Sequence, residues 1–450
     1  KDTSSPTIAT SSVMIIAAIA AEEQREVITM DIGGAYLHAE MKKDVYMRLP
    51  KELSDILIKL DGSYKRYVNP AGQIVVKLLK ALYGCVESAK LWYEHFRACI
   101  ENIGFTANPR DICVFNKSAN GKQCTIGVHV DDQIITCANQ DMLNCTIRDI
   151  KTIFSETTET YGKVHNYLGM TMDYSSSGLV KIAMKNYLEE KLKEFNVIGK
   201  SKTPCANNLF QRNDNSNLLT NEERELYHSK VASVLFLAKR VRPDILLTVS
   251  VLATRVNAPT KDDNNKLDKL LRYLNSTKNF YLTLDGTNIN SPWISVDASF
   301  GTHPDGKGHT GMSEGIGRSG FNHKSSKQRI LCKSSTEAEI VGASDTISNG
   351  LHTREFLKFQ GYNPGPTIVY QDNLSAIKMM PDGKGTSDRT KHISVRYFWM
   401  KEKADNNEIK FEYLPTENMV SDILTKPISG KQFIKLRNKI LNWQGEPEEP

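Results

Sequence analysis

What this sequence lacks narrows it first. Its eight cysteines, at positions 85, 99, 113, 124, 137, 145, 205 and 332, form no Cys-x-x-Cys pair and no close His/Cys cluster. Neither a zinc site nor a disulfide framework is indicated, and a reducing compartment fits. No apolar run is long enough to cross a bilayer. The longest, Val13 to Ala21, has the length of a signal peptide's apolar core, but no basic cluster precedes it, so it reads as a buried helix. There is no internal repeat and no long biased tract, which excludes fibres and tails. Excess charge of one sign is also slight: 58 Lys+Arg against 52 Asp+Glu, formally +6, permits a polyanionic partner without demanding one.

What is present is a chain built to fold. Its 450 residues exceed what one hydrophobic core usually holds, so two to four domains are expected. At 40% hydrophobic, 24% charged and 8% aromatic it can offset its ordering entropy over most of its length. It begins with Lys1 rather than Met, from which we expect a piece of a longer polyprotein. Residues 1 to about 175 alternate helical patterns with short strands, punctuated by turn chemistry at Asp61-Gly62, Pro70 to Gly72 and Asn120-Gly121. From Lys185 to about Thr283 the pattern is mainly helical, interrupted by a polar loop from Asn207 to Asn217. A fresh α/β series starts near Pro292, with strands expected at Trp293 to Phe300 and Thr367 to Tyr370 and a long helix from about Ser335 to Phe359. The Pro/Glu-rich end, Gly445 to Pro450, reads as disordered.

Two constellations carry chemistry. In the first, the alternating runs Cys124 to Val130 and Gln133 to Cys137 flank Asp131-Asp132, the spacing of a hairpin closed by a two-residue turn. Such turns usually want glycine, and two carboxylates about 6 Å apart repel by roughly 3 kcal/mol at an effective dielectric near 20. A divalent cation is the natural compensator, and a third acid would complete a phosphoryl-transfer site. Asp31 qualifies, a lone acid in the strand-like stretch Val27 to Ile32. The plainer reading is a solvated surface turn and a strand-end acid.

Met30-Asp31-Ile32-Gly33-Gly34-Ala35-Tyr36-Leu37 resembles the first catalytic motif of reverse transcriptases, and His129-Val130-Asp131-Asp132 their aromatic-x-Asp-Asp box. Leu82-Tyr83-Gly84 with Leu91-Trp92-Tyr93 resembles a segment of copia-type LTR retrotransposons, and Tyr167-Leu168-Gly169-Met170 their primer-contacting hairpin. The resemblance implies that Asp31, Asp131 and Asp132 hold two Mg²⁺, that Tyr36 excludes a 2′-hydroxyl, and that Tyr36 and Gly84 border the nucleotide. It implies nucleic-acid contact at Tyr167, Leu168, Gly169 and Met170. The chain departs from the pattern at His129, where an aromatic Tyr or Phe is usual, and at Cys85-Val86-Glu87-Ser88, where a base is lost and an acid gained. Glu159 falls nearest the place of a lysine before the hairpin, and Lys163 is a weak substitute. The family's basic finger strands lie upstream of the segment resembling Pro6 to Ala21. Tyr227 to Leu237, Arg240 to Ile245 and Leu270 to Leu274 resemble the family's thumb and connection, with Lys239, Arg240 and Arg242 as phosphate partners. A basic helix end that only complements the helix dipole is the alternative.

In the second constellation, Ile294, Val296, Ala298 and Phe300 occupy one strand face, leaving Asp297 on a polar face with Ser295 and Ser299. Ser334 and Glu337 have capping-box spacing, which gives Glu337 a structural job and leaves Glu339 without one. Asp372 ends a strand before the helical run Asn373 to Met380, and Asp422 borders a helical apolar stripe of Met419, Val420, Ile423 and Leu424. The strings Lys333 to Glu339, Tyr370 to Asn373, Thr390 to Ile393 and Asp422 to Pro427 resemble the ribonuclease H domain of copia-type elements. That resemblance implies catalytic and metal-holding roles for Asp297, Glu339, Asp372 and Asp422, with Glu337 as fallback for Glu339 and His392 positioning the strand.

Together these readings give an α+β right-hand polymerase palm (antiparallel sheet with helices), then a helical thumb/connection and an α/β ribonuclease H-like domain. The expected boundaries are 1–178, 179–288 and 289–450. The function implied is RNA- and DNA-templated DNA synthesis coupled to cleavage of RNA in hybrids. It uses two Mg²⁺ per site, with Mn²⁺ as the substitute. Its partners are an RNA template, DNA primer and product, RNA–DNA hybrid, deoxynucleotides, a host tRNA primer and the integrase and protease parts of the polyprotein, without a membrane. The expected location is a cytoplasmic virus-like particle whose product reaches the nucleus. The alternatives are a nuclease whose polymerase half only holds the hybrid, and a domesticated nucleic-acid binder without catalysis. An integrase ranks last, since nothing resembles its zinc-binding region.

Overall fold

The computed structural model describes residues 4–213, 215–382 and 394–445; His392 and most of the expected disordered tail lie outside the described residues. The chain divides into two compact units, one of residues 1–8 and 27–160, the other of residues 9–26 and 161–450. The expected segments 179–288 and 289–450 therefore fall within one unit. The long apolar run forms α1 (Thr10–Glu22), assigned to the second unit, with Ser12 to Ala21 all buried. A helix apolar all round can only be stable enclosed, as this one is.

The first unit is an α+β arrangement on antiparallel sheets. Its strands are β1 (Glu26–Ile32), β2 (Tyr46–Arg48), β3 (Val75–Lys77), β4 (Thr106–Asn108), β5 (Asp111–Ala119), β6 (Lys122–His129), β7 (Asp132–Cys137) and β8 (Thr157–Thr160). Six of them bond in the order β4-β5-β6-β7-β1-β8, while β2 and β3 pair separately. Three helices accompany them: α2 (Lys51–Leu60), α3 (Ser88–Asn102) and α4 (Gln140–Ile153). On α3 the helical spacing of Leu91, Trp92, Tyr93, Phe96 and Ile100 buries one stripe. There Trp92 meets Phe96 and Phe154 with ring centroids 5.6 and 5.4 Å away. Asn139 caps α4 by accepting from the Met142 amide.

The second unit opens with the hairpin β9 (Val164–Tyr167) and β10 (Met170–Asp173), joined by β11 (Val180–Ala183). Four helices follow: α5 (Lys185–Glu194), α6 (Asn221–Ala238), α7 (Leu246–Ala253) and α8 (Lys261–Ser276). Reciprocal capping boxes, Thr220 with Glu223 and Thr260 with Asp263, start α6 and α8. β12 (Leu282–Leu284) then returns to complete a four-stranded sheet in the order β12-β11-β10-β9.

A second, mixed sheet follows in the same unit, from β13 (Trp293–Ser299), β14 (His309–Gly315), β15 (Gly320–Lys327), β16 (Thr367–Gln371) and β17 (Ile409–Tyr413). Its order is β15-β14-β13-β16-β17. The β13–β14 and β14–β15 pairs are antiparallel, whereas β13–β16 and β16–β17 are parallel. The helices here are α9 (Ser335–Phe359), α10 (Leu374–Asp382), α11 (Ser394–Asp405) and α12 (Gly430–Leu441). Ile294, Val296 and Ala298 pack with Ile340, Val341 and Ile347 of α9 in one apolar core.

Two local expectations need correction. Phe300 is 47% exposed and does not share the buried face of β13. The stripe around Met419 is not an α-helix but a short 3-10 turn, Val420–Leu424. That turn lies on the other face of β13, where the Ser295 and Ser421 hydroxyls are 2.8 Å apart, so the supposed polar face is buried as well. Gly311 makes the approach possible: a Cβ there would come within 2.9 Å of the Ser421 carbonyl and closer still to Thr425 and Leu424.

Three buried imidazoles tie this sheet together. His303 Nε2 lies 3.0 Å from His309 Nδ1, and His309 Nε2 lies 2.7 Å from the Ser325 hydroxyl, which donates to the Leu424 carbonyl at 2.8 Å. Burial, with some repulsion from Lys327, pushes His303 down to about 4; burial pushes His309 and His323 down to about 3. The folded pKa values lie below the unfolded value near 6.5, so stability is complete above about pH 6.5 and falls as pH drops through that window. The imidazoles' contribution to stability, read by urea unfolding as the difference between the parent and a variant lacking them, is therefore expected to shrink between about pH 7 and about pH 5. A double His303→Asn/His309→Asn protein should lose less over the same interval, and equal losses in both proteins would refute the assignment.

Candidate active sites

In the first unit, the sheet order sets β1 beside β7 and so carries Asp31 to the β6–β7 turn. The Ile32 amide donates to the Asp131 carbonyl at 3.2 Å, and Gln133 Nε2 donates to the same carbonyl at 2.6 Å. The turn itself differs from expectation. His129 pairs with Asp132, so the two turn residues are Val130 and Asp131, and Asp132 begins β7. Val130 sits at φ +60°, a left-handed conformation that a β-branched residue adopts only under strain. The Trp92 indole holds it there by donating to the Val130 carbonyl at 2.6 Å. Leu91-Trp92-Tyr93 thus acts on the acidic turn through one hydrogen bond.

The three acids feel one another. Burial and then Asp131 raise Asp31 above the usual carboxylate range. Asp132 is raised by burial, then by Asp131 and Asp31. Tyr83 donates to Asp131 Oδ2 at 3.0 Å, and its ring lies against that of Tyr36 with centroids 4.1 Å apart. Burial, followed by Asp131, pushes the Tyr83 phenol up to about 12, so it remains a donor. Gly84 is exposed at φ +99° with open space around it, a backbone position that favours glycine. Tyr83 was missed as a site residue although it stands within the quoted Leu82-Tyr83-Gly84.

Several residues expected to contact nucleic acid are buried or engaged within the protein. Tyr167 and Met170 are buried, and the turn of their hairpin is Leu168-Gly169, both at positive φ, with Leu168 half-buried and Gly169 exposed. Arg242 is 1% exposed. It makes a bidentate pair with Asp244 at 2.9 and 2.8 Å and donates to the Thr277 carbonyl, so it is a core pin and no phosphate partner. Tyr273 completes the group by donating to Asp244 at 2.7 Å. Arg240 lies over the Phe236 ring at 3.6 Å, and Lys239 donates to the His323 carbonyl at 3.3 Å.

In the second unit, Asp297 on β13, Glu339 in the first turns of α9 and Asp372 just past β16 converge. One carboxylate oxygen of each lies within 4.8 Å of the other two, the one such group of acids, histidines or cysteines among the described residues. Asp31, Asp131 and Asp132 are therefore more widely spaced. Ser334 caps α9 by accepting from the Glu337 amide, and the Glu337 carboxylate accepts from the Lys333 amide at 2.7 Å. This occupies Glu337 and leaves Glu339 to face Asp297. Gln371 Nε2 donates to Glu339 at 3.1 Å, Thr416 donates to Asp372 at 2.8 Å, and the Thr425 hydroxyl donates to Asp297.

Asp422 joins through a cation. Lys426 Nζ lies 3.1 Å from Asp297 Oδ1 and 3.0 Å from Asp422 Oδ1. Burial, then repulsion from Asp297, pushes Asp422 up to about 7. Burial and the Asp297 and Asp372 charges raise Glu339 well above its ordinary range. Gln371, Thr425 and Lys426 were not foreseen as site residues, though each lies inside a string quoted above.

Three carboxylate oxygens at this spacing, repelling one another in a desolvated place, suit a hard divalent cation with oxygen ligands. If so, Glu339→Gln relieves repulsion. Without divalent ions its thermal midpoint should equal or exceed that of the parent, and added Mg²⁺ should stabilise the parent more than the variant, whose first-unit acids are unchanged. Equal Mg²⁺ stabilisation of both proteins would show that Glu339 takes no part.

Comparison with known proteins gives the chain relatives. Residues 1–207 match the family model described as reverse transcriptase (RNA-dependent DNA polymerase). The chain is 26% identical over 438 residues to the retrovirus-related Pol polyprotein from transposon TNT 1-94 of Nicotiana tabacum, covering 95% of this chain and 32% of that protein. It is 27% identical over 443 residues to the corresponding polyprotein from transposon RE1 of Arabidopsis thaliana, covering 98% and 29%. It is 24% identical over 448 residues to the transposon TyH3 Gag-Pol polyprotein of Saccharomyces cerevisiae, covering 95% and 24%. The chain spans about a third or less of the length of these curated relatives. Among solved structures, prototype foamy virus protease-reverse transcriptase aligns over 96% of this chain and 48% of that one, at a TM-score of 0.24 and 12% identity. Residues 1–207 thus match the reverse transcriptase family, and the similarity of nearly the whole chain to these transposon polyproteins supports a copia-type retrotransposon Pol region.

Proposed function

We propose that this chain extends a DNA primer on an RNA or DNA template and cleaves the RNA strand of RNA–DNA hybrids. The observation that carries the reading is that the sequence's candidate acids gather in two places, closely in the second unit and more loosely in the first, where Asp131 raises Asp31 and Asp132. The family match over residues 1–207 supports the first activity. The mixed five-stranded sheet that, together with α9, brings Asp297, Glu339 and Asp372 to one place supports the second.

In the first unit, Asp31, Asp131 and Asp132 hold divalent cations. Tyr83 keeps the Asp131 carboxylate oriented, and Tyr36, stacked on Tyr83, borders the sugar of the incoming deoxynucleotide. In the second, Asp297, Glu339 and Asp372 hold a cation with Asp422 beside them, and Gln371 and Thr425 fix two of the carboxylates by hydrogen bonds. Bound Mg²⁺ supplies a nucleophile at neutral pH and charge stabilisation at the reacting phosphate. The host tRNA primer, the particle and the other polyprotein parts belong to the same proposal.

One observation favours a second reading, in which only the nuclease works: the carboxylates of the first unit are not drawn as close together as those of the second. Primer extension and hybrid cleavage in Mg²⁺ separate the two. The first reading expects both activities, with Asp131→Asn lowering extension at least about 100-fold, the scale of losing one preorganised electrostatic partner, and sparing cleavage. Asp297→Asn should do the reverse. Cleavage without extension by the unaltered chain selects the second reading, and neither activity sinks both.

A further inference from the structure

Between Tyr46 and Leu79 the usual order of a fold is reversed: eight large apolar side chains are exposed, and only two, Leu49 and Ile74, are buried. Among the described residues the strands of this stretch, β2 and β3, pair only with each other. Three of the exposed side chains, Leu53, Ile56 and Leu60, belong to α2, at 49, 50 and 80% exposure. Their i, i+3, i+7 spacing sets them in one stripe along the helix. α2 is held by another side, where the buried Ser54 hydroxyl donates to the Pro50 carbonyl at 3.1 Å and accepts from the Ile74 amide at 3.0 Å. The stripe is thus turned outward by the packing itself, and an exposed apolar face of this kind marks an interaction surface.

The charges bordering the stripe say what fits it. α2 sets Lys51 and Lys59 against Glu52 and Asp55, so it has no net charge to draw an anionic membrane or a nucleic-acid strand. Glu52 and Lys59 are both exposed and lie two helical turns apart, on the same flank of the stripe and at its opposite ends. When two such helices pack antiparallel, equal flanks meet and the start of one lies beside the end of the other. Leu53 then faces the partner's Leu60, Ile56 lies near the two-fold axis, and Glu52 of each copy meets the partner's Lys59. A two-fold axis makes each of these contacts occur twice. Packed parallel, Glu52 and Lys59 would both face the flank that carries Leu57 and gain no ion pair.

We propose that the outer face of α2 is a docking surface for a second copy of this chain, the two α2 helices packing antiparallel about a two-fold axis near Ile56. The pairing does not depend on either activity proposed above. Sedimentation equilibrium of the whole chain tests it, with the parent, Glu52→Lys, Lys59→Glu, the double reversal Glu52→Lys/Lys59→Glu, and Ile56→Arg. The parent's mass should rise from that of one chain toward that of two at micromolar concentrations. Either single reversal turns two attractive pairs into two repulsive ones and should weaken the dimer about tenfold. The double reversal should return it to within about threefold of the parent, because each new lysine again meets a glutamate. That recovery cannot come from a firmer helix, since a lysine in the first turn and a glutamate in the last oppose the helix dipole. Ile56→Arg places two cations beside the axis and should weaken the dimer at least about 100-fold. All of these positions are exposed, so folding is retained, and far-UV circular dichroism at a concentration where the parent is monomeric checks that it is. The proposal is overturned by a parent that stays a single chain, by an Ile56→Arg or single-reversal protein that dimerises as the parent does, or by a double reversal no tighter than the singles.

Discussion

The mutual repulsion of carboxylates that folding forces together is the constraint around which the rest of this molecule is arranged. Glu339 is buried beside Asp297 and Asp372, and each unit of free energy spent holding them there must come from packing elsewhere. The supply is visible. A continuous apolar core of β13 and α9 side chains sits on one face of the mixed sheet, and the 3-10 turn at Val420–Leu424 closes the other. Asp297 is anchored between them, and its strand cannot shift by one residue without exchanging a buried acid for a buried alanine.

The acids of the first unit live under a milder form of the same constraint. Asp31 and Asp132 remain exposed, and the turn that presents Asp131 is held by a tryptophan donor and a tyrosine donor. Strain here is concentrated in the backbone at Val130 rather than in desolvated charge. The two centres therefore reach related chemistry by different means, one by a strained turn on a sheet and one by burial between a strand, a helix and a turn.

Much of this was legible in the sequence, and the reasons are specific. The capping spacing of Ser334 and Glu337 predicts which glutamate is occupied, and the structure places the Glu337 carboxylate on a backbone amide while Glu339 faces the cluster. Sequence pattern predicts α9 and β13 within a residue of their ends and α1 within three. What periodicity could not show is which polar face is later covered. Ser295 and Asp297 alternate as a solvated face does, and only the return of the chain 126 residues after Ser295 buries them. Arg242 misled for a related reason. A basic run at a helix end has the same local pattern whether it meets phosphate or, as here, an aspartate two residues on and a threonine carbonyl 35 residues away. Partners distant in sequence decide such cases, and no local window contains them.

Lys426 gives the second centre a property of its own. Its ammonium already sits between Asp297 and Asp422, so part of the negative charge there is balanced from within the chain. Proteins whose ligand sets are uncompensated depend on an ion to fold at all. A polypeptide carrying its own counterion can reach its final shape before any divalent ion arrives, which separates the schedule of maturation from the supply of magnesium.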